Sequence, residues 1–450
     1  MPTYDLIVVG SGSAAGTVAS AARRAGWRVA VIDKRPLGGT CANRGCDPKK
    51  VMVGVAAAVD AVRRLEGHGP TATTDLAWPP LARFVRTFTD PVPASREAGF
   101  RSAGIDVWHG TARFLNPTSL AVDDHVLEAD RAIVLATGAR PTDLPFDGGR
   151  HVIDSTAFLA LPTLPASLTF VGGGYIAMEF AHVAARTGTR VSIVHRGPRP
   201  LGQFDPDLVD LLVERTRALG VEMHLGTSVT RVAPRGQGRF DVHLEGASDA
   251  SVIQTDLVVH GAGRVPDIDD LDCAAGEVAF GPDGIQVDAH LRSPSNPRVW
   301  AAGDCAATGA PPLTPMAAEE GARLADNLLR DAGRTADVAL VPSAVFTIPP
   351  LARVGLLASE AEQAGRPVRT THEHTASWLS SRRLQQPASA FKILIDEATD
   401  QIVGAHLLGP GADEVANVFA VAMQAGLSAT ALKRTRLVYP TSGSDIKYML

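Results

Sequence analysis

Cys41 and Cys46 stand five residues apart in Gly38-Gly39-Thr40-Cys41-Ala42-Asn43-Arg44-Gly45-Cys46-Asp47-Pro48-Lys49-Lys50. Five residues of ideal helix rise about 7.5 Å, too far for a comfortable Cα separation in a disulfide. The spacing therefore predicts a distorted helix between the thiols if they pair, and Gly45 permits the distortion. A helix running on from Pro48 aims its positive end at Cys46 and favours a thiolate there. The pair also admits plainer readings, as unpaired core thiols or half of a metal site. No second cysteine pair and no nearby histidine completes a zinc set, which argues against metal. Lysine usage adds weight to the redox reading. The chain has only six lysines, at 34, 49, 50, 392, 433 and 447, and arginine fills nearly every other basic position. Lys49 and Lys50 directly after the cysteines are thus not background usage, and a compact ammonium beside a thiolate is a chemical reason for them.

Two glycine loops surround other chemistry. Tyr4–Val9 reads as a buried strand, an Ala-rich helix follows and ends at Gly26, and Arg28–Asp33 reads as a second strand, making a βαβ unit. Gly10, Gly12 and Ala15 fit G-x-G-x-x-A: a tight turn, close approach of backbone N–H groups to a pyrophosphate, and close helix–strand packing. Asp33 closes the second strand, where an acid accepts hydrogen bonds from an adenosine ribose. An ordinary tight turn is the plainer reading, but the strand before, the helix after and the acid all favour a dinucleotide. The pattern repeats at Leu168–Val171, Gly172-Gly173-Gly174-Tyr175-Ile176-Ala177, a helix to Gly188 and the strand Arg190–Val194. Here the second strand ends in His195 and Arg196, with Arg199 close behind, which suits a ribose 2′-phosphate and predicts NADPH over NADH. A solvated basic loop without preference is the alternative.

The elements that hold these loops need a large chain, and 450 residues supply two to four domains. Hydrophobic residues at 45% and charged residues at 20% describe a globular protein. Lys+Arg 43 against Asp+Glu 48 gives a net charge of −5, so no basic field points to nucleic acid or an anionic membrane. Small-molecule partners are expected. Four cysteines are too few for a secreted disulfide framework, and no apolar stretch reads as a signal or a membrane span, so a cytoplasmic location is expected. Arg131–Gly138 and Arg298–Asp304 read as strands ending in turns, and the proline-rich stretch 141–165 as a connection. From about residue 336, β-branched strands such as Phe391–Asp396 precede a helix across roughly 412–425. This part lacks a glycine loop and reads as an interface.

Taken together, these motifs resemble the FAD-dependent pyridine nucleotide–disulfide oxidoreductase family of glutathione reductase, dihydrolipoamide dehydrogenase and mercuric reductase. The similarity runs from the FAD loop through Ala136-Thr137-Gly138, the second loop, Gly261–Pro266 and Gly303-Asp304 to the C-terminal segment. It implies an α/β fold: two Rossmann-like dinucleotide-binding domains plus a C-terminal α+β dimerisation domain. The expected segments are 1–148 and 266–335 for FAD, 149–265 for NAD(P)H, and 336–450 for a homodimer interface. It implies that Cys46 is the flavin-facing thiol and Cys41 the interchange thiol that meets substrate. Lys49 and Glu179 are then an ion pair near the flavin, and Tyr175 a lid over the nicotinamide. Asp304 holds the FAD ribityl chain, with Thr314, Pro315 and Met316 near the pyrimidine side. Thr40, Thr137, Gly138, Gly172, Gly174, Ile176, Gly263, Arg264 and Gly303 complete the cofactor-binding set, with His195, Arg196 and Arg199 on the NADPH side.

One departure bears on substrate. Where thiol–disulfide members carry His-Pro and then Glu, this chain has Tyr439-Pro440 and Ser444. Asp445 is one place late, and no histidine follows His406. A phenol of ordinary pKa, about 10, is a poor proton shuttle at neutral pH. The expected acceptor is therefore a disulfide with a low-pKa thiol or thione leaving group. A metal-ion reductase of mercuric type, a quinone reductase and a non-catalytic flavin redox sensor are the alternatives, although the C-terminal cysteine pair of mercuric reductases is absent. His372-Glu373-His374 puts two imidazoles on one strand face, more simply a solvated face than a metal site. Cys273 and Cys305 read as buried structural thiols. No resident metal is expected.

Overall fold

Strand β1 (Thr3–Val9) runs parallel between β2 (Val29–Asp33) and the long strand His125–Leu135, with Val8 opposite Val31 on one side and Val134 on the other. From Leu6 to Val9 every residue of β1 is buried, which is why it reads as an unbroken apolar run. Asp106–His109 extends this sheet beyond β2, Val299–Ala301 joins the Leu135 end in parallel, and two antiparallel strands, Ser119–Val122 and Ala112–Asn116, finish it. Helix α1 (Ser13–Arg24) turns Ala14, Ala15, Val18, Ala19 and Ala22 to the core. These mostly small side chains let it lie close to the strands.

The computed structural model describes residues 1–72, 74–246, 251–336 and 340–450. They form two compact units. The first comprises Met1–Pro48, Phe84–Thr142 and Arg264–Val338, and holds the sheet just described. The second comprises Lys49–Arg83, Asp143–Gly263 and Ala339–Leu450. The two glycine-loop folds thus fall in different units, and the C-terminal segment clusters with the second loop.

In the second unit, a parallel four-stranded sheet orders Glu222–Leu225, Arg190–His195, Ser167–Val171 and Val258–His260. A three-stranded antiparallel sheet, Thr227–Gly236, Arg239–Gly246 and Ser251–Thr255, accompanies it. The C-terminal part is a five-stranded antiparallel sheet with Ile402–Leu408 at its centre, beside Ala390–Asp396. Helix Ala412–Gln424 covers it, packing Val415, Ala416 and Phe419 in one core with Phe391, Ile393 and Leu407. Every residue of both central strands is buried, so they too lack polar alternation.

Candidate active site

The cysteine segment folds as two helices. Helix α2 (Gly39–Arg44) carries Cys41, the chain breaks at Gly45, and α3 (Cys46–Arg64) starts on the second cysteine. The break falls where the spacing requires it, but a left-handed conformation is not the reason, because Gly45 has φ −139°. A side chain is excluded instead by crowding: a Cβ there would lie 2.9 Å from Thr40 O and 3.3 Å from Cys41 Cα. Cys46 therefore occupies the first position of α3 itself, where aligned peptide dipoles favour negative charge. Both cysteines are free thiols, Cys41 half-buried and Cys46 exposed.

Around the sulfurs, Cys46 Sγ lies 3.4 Å from Thr314 Oγ1, and the Cys41 thiol donates to Asp47 Oδ1 at 3.7 Å. The Cys41 thiol is held well above the ordinary thiol range, chiefly by its hydrogen bond with Cys46. Burial and the Asp47 charge add to this, while the Thr314 hydroxyl opposes it.

Both cysteines open onto a groove in the first unit that is also lined by Gly10, Gly12, Asp33, Thr40, Thr137, Gly138, Arg264, Gly303, Asp304 and Thr314. Ala15 is buried behind the loop, Met316 is buried, and Pro315 is exposed, so these three do not line it. Gly10 has φ +112°, and a Cβ there would come within 2.2 Å of Ala136 O. Gly39, at φ +73°, would place a Cβ 2.6 Å from Gly12 Cα, so the redox segment packs on the loop through bare backbone. Ser11 Oγ donates to Asp33 Oδ2 at 2.6 Å and accepts from Gly38 N at 2.9 Å, fixing the acid at the strand end. Burial pushes the Asp304 carboxyl up, against the pull of Arg264. Glu320, 2% exposed, accepts from Gly303 N and Thr308 Oγ1, both at 2.7 Å, and so anchors the Gly303-Asp304 turn.

In the second unit, Lys49 Nζ lies 2.9 Å and 2.8 Å from the two oxygens of Glu179. Glu179 is 1% exposed and also accepts from Phe346 N at 2.8 Å. Burial raises its carboxyl above the ordinary range, and Lys49 and the Phe346 N–H oppose that rise. Gly172 repeats the geometry of Gly10: at φ +114°, a Cβ would meet Gly261 O at 2.2 Å. Gly174 caps the helix Tyr175–Arg186, which carries Ile176 and Glu179, and Gly263 lies at φ +114° beyond the neighbouring strand. Tyr175 packs edge-on to Phe204, and burial pushes its phenol up to about 12.

The basic strand end divides its labour. The His195 ring packs against Gly173, its Nε2 donates to Arg199 O at 2.9 Å, and burial lowers its pKa. Arg199 is held by Asp210 at 2.7 Å. Arg196 is exposed at the loop surface. At the other end of the chain Tyr439 is 69% exposed and joined to Pro440 by a cis peptide bond, and Ile348-Pro349 is also cis. Ser444 forms a reciprocal cap with Thr441 and is buried. The His372 and His374 rings lie tilted to each other with centroids 5.6 Å apart, and among the described residues no cluster of three or more His, Cys, Asp or Glu could hold a metal.

The family model for pyridine nucleotide-disulphide oxidoreductases matches residues 4–321, and the model for their dimerisation domain matches 341–450. The chain belongs to this family. A glutathione reductase of Burkholderia cepacia is 30% identical over 454 residues, covering 98% of this chain and 97% of that one. A mercuric reductase of Staphylococcus aureus is 28% identical, covering 99% of this chain and 81% of that one. A solved structure, the Cu(II) complex of the HOCl-induced flavoprotein disulfide reductase RclA from Escherichia coli, superposes with TM-score 0.89 at 28% identity. It covers 100% of this chain and 99% of that chain. The protein is thus an α/β flavoprotein disulfide oxidoreductase, in a family that depends on FAD and a pyridine nucleotide. Among the described residues no helix is long and apolar enough to cross a membrane.

The residues of this disulfide oxidoreductase fit a flavin dinucleotide. The Gly10 turn leaves no room for a side chain, Asp33 is fixed at the groove, and Thr137 Oγ1 is buried with no hydrogen-bond partner of its own. Residue types did not single out Ser11, Glu320 or Asp47. Ser11 is a free position of the glycine motif and carries no signal. Asp47 did carry one, a carboxylate directly after the second cysteine.

Proposed function

We propose that this enzyme passes electrons from NADPH to a small acceptor through the Cys41–Cys46 pair, and that the acceptor is a disulfide whose leaving group is a low-pKa thiol or a thione. The observation that carries the reading is the arrangement at α2 and α3: Cys46 at a helix N-terminus on the groove, and Cys41 beside it with its thiol pushed up by that neighbour. FAD, when bound, supplies the two-electron relay between the nicotinamide and the disulfide. Gly10, Gly12, Asp33, Thr137, Arg264 and Asp304 would hold it, with segments 1–148 and 266–335 as its domain. Segment 149–265 would take the nucleotide, with Tyr175 as its lid. Cys46 faces the flavin as a thiolate, and Cys41 receives the acceptor. In a homodimer formed through segment 336–450, Tyr439 lines the acceptor's approach. The exposed Leu379, Val421, Val438, Tyr439 and Tyr448 are apolar surface that such an interface would cover.

A second reading has its own support: a thiophilic metal ion as acceptor. The relatives include a mercuric reductase, and a similar structure is a Cu(II) complex. A panel of acceptors, assayed by NADPH oxidation, separates the two. Dithiodipyridine should turn over at least tenfold faster than glutathione disulfide, because its leaving group is stable without protonation. Efficient glutathione disulfide turnover would sink the first reading. Turnover only with Hg(II) or Cu(II) would establish the second, and a single reduction with no sustained turnover would mark a sensor.

Nucleotide choice is tested at the second loop. Arg196 is exposed, whereas Arg199 is committed to Asp210. Hydrogen bonds to charged groups contribute about 1.5–3 kcal/mol, so Arg196→Ala should weaken NADPH binding about tenfold or more and leave NADH unchanged. Arg199→Ala should have the smaller effect. Equal loss of both nucleotides would show that Arg196 meets something other than the 2′-phosphate.

A further inference from the structure

Disulfide exchange moves a proton as well as electrons, and the Cys41 thiol is held above the ordinary thiol range by its neighbours. The groups acting on that thiol are Cys46, the Thr314 hydroxyl and the Asp47 carboxylate. In the proposed roles Cys46 carries the negative charge of the dithiol, and the hydroxyl of Thr314 is a far weaker proton acceptor than a carboxylate. Asp47 stands 3.7 Å from Cys41 Sγ, is open to solvent, and occupies the first turn of α3, where a helix N-terminus stabilises an anion. The two lysines that follow are engaged elsewhere, Lys49 with Glu179 and Lys50 with Asp413 at 3.1 Å.

We propose that Asp47 is the acid–base residue of the interchange thiol, supplied by the chain's own redox helix. The proposal rests on Cys41 being the thiol that meets the acceptor. Asp47 Oδ1 takes the Cys41 proton as Cys41 Sγ attacks one sulfur of the acceptor disulfide. A Cys41–acceptor S–S bond forms, the acceptor's own S–S bond breaks, and its electron pair leaves on the first thiolate, which receives the proton from Asp47. The Cys46 thiolate then attacks Cys41 Sγ, closing the Cys41–Cys46 disulfide and expelling the second half of the acceptor as a thiolate. One acceptor disulfide and one singly protonated dithiol thus give one enzyme disulfide, one thiol and one thiolate. A carboxylate is a weaker base than an alkyl thiolate by about four pK units, so the transfer completes only as the S–S bond breaks. This selects acceptors whose leaving thiolate carries charge well.

The test follows re-oxidation of the two-electron-reduced, FAD-loaded enzyme by dithiodipyridine in rapid mixing. Asp47→Asn should slow that step ten- to a hundredfold at pH 7, with the deficit shrinking as pH rises and solvent hydroxide takes over the proton. Asp47→Glu should restore most of the rate. Independently of any acceptor, alkylation of Cys41 by iodoacetamide in the Cys46→Ser background should shift to lower pH by about one unit on Asp47→Asn, because the carboxylate no longer opposes the thiolate. Unchanged re-oxidation at every pH would overturn the proposal. So would a deficit of equal size at every pH with no shift in alkylation. If the native reduced enzyme ignores dithiodipyridine while the alkylation shift appears, the disulfide-acceptor reading fails and the assignment of Asp47 to Cys41 stands.

Discussion

Cys46→Ser should lower acceptor-dependent turnover by about three orders of magnitude or more, the scale on which removing one member of a reacting unit acts. Cys41→Ser should cost as much in turnover, yet the two variants should look different in the spectrometer. Cys46 sits on the groove at the first position of α3, so its thiolate should give a long-wavelength absorbance with bound flavin. In Cys41→Ser no partner remains to oxidise Cys46, and the band should be present near neutral pH without any reductant. In Cys46→Ser it should be missing even after reduction. Absorbance spectra of the two purified variants decide the matter. A Cys41→Ser enzyme that holds its flavin but lacks the band would reverse the assignment of roles.

Lys49→Met is expected to have the largest effect on stability. Removing one partner of a buried ion pair typically costs about 3–5 kcal/mol, because the other charge stays buried without compensation. Here that charge is Glu179, 1% exposed, which would keep the Phe346 N–H and the more distant Lys50 charge. The loss should depend on pH in a definite direction. Burial already raises the Glu179 carboxyl above the ordinary range, and Lys49 is the strongest influence pulling it back. Without Lys49 the carboxyl rises further and keeps its proton. A group raised on folding contributes stability below its unfolded pKa, about 4.3 for Glu, and loses it as pH rises through the folded value. The gap between native and variant should therefore be small near pH 5 and wide near pH 8, read from urea midpoints. Adding Glu179→Leu should recover much of the loss. A gap independent of pH would mean that Lys49 acts through packing on Phe346, whose ring centroid is 5.0 Å from its Nζ.

The sequence announces its nucleotide folds because turn, helix and strand period all agree around Gly10 and Gly172. The cysteine spacing likewise foretold a break, and the structure has it at Gly45, for a steric reason that no spacing rule contains. Other features are illegible locally. Ser11 matters because it reaches Asp33 and Gly38, and Glu320 because it reaches back to Gly303, contacts set by tertiary packing. The three-stranded sheet of Thr227–Gly236, Arg239–Gly246 and Ser251–Thr255 leaves much of its length exposed and so lacks the apolar runs that mark the other strands. His195 and Arg199 qualified by residue type for a phosphate site, but sequence does not reveal that one donates to a backbone carbonyl and the other is tied to Asp210.

Gly10 and Gly172 share one further property: the obstacle to a side chain at each is a backbone carbonyl, Ala136 O in one case and Gly261 O in the other. A clash between two side chains can be relieved by shrinking the neighbour, so a harmful change at one position is open to repair at another. A carbonyl oxygen is common to all twenty residue types, and no replacement at 136 or 261 removes it. Each loop is therefore an evolutionary dead end for anything but glycine: a lineage that loses it has no compensating mutation at the point of contact, and only reversion restores the turn.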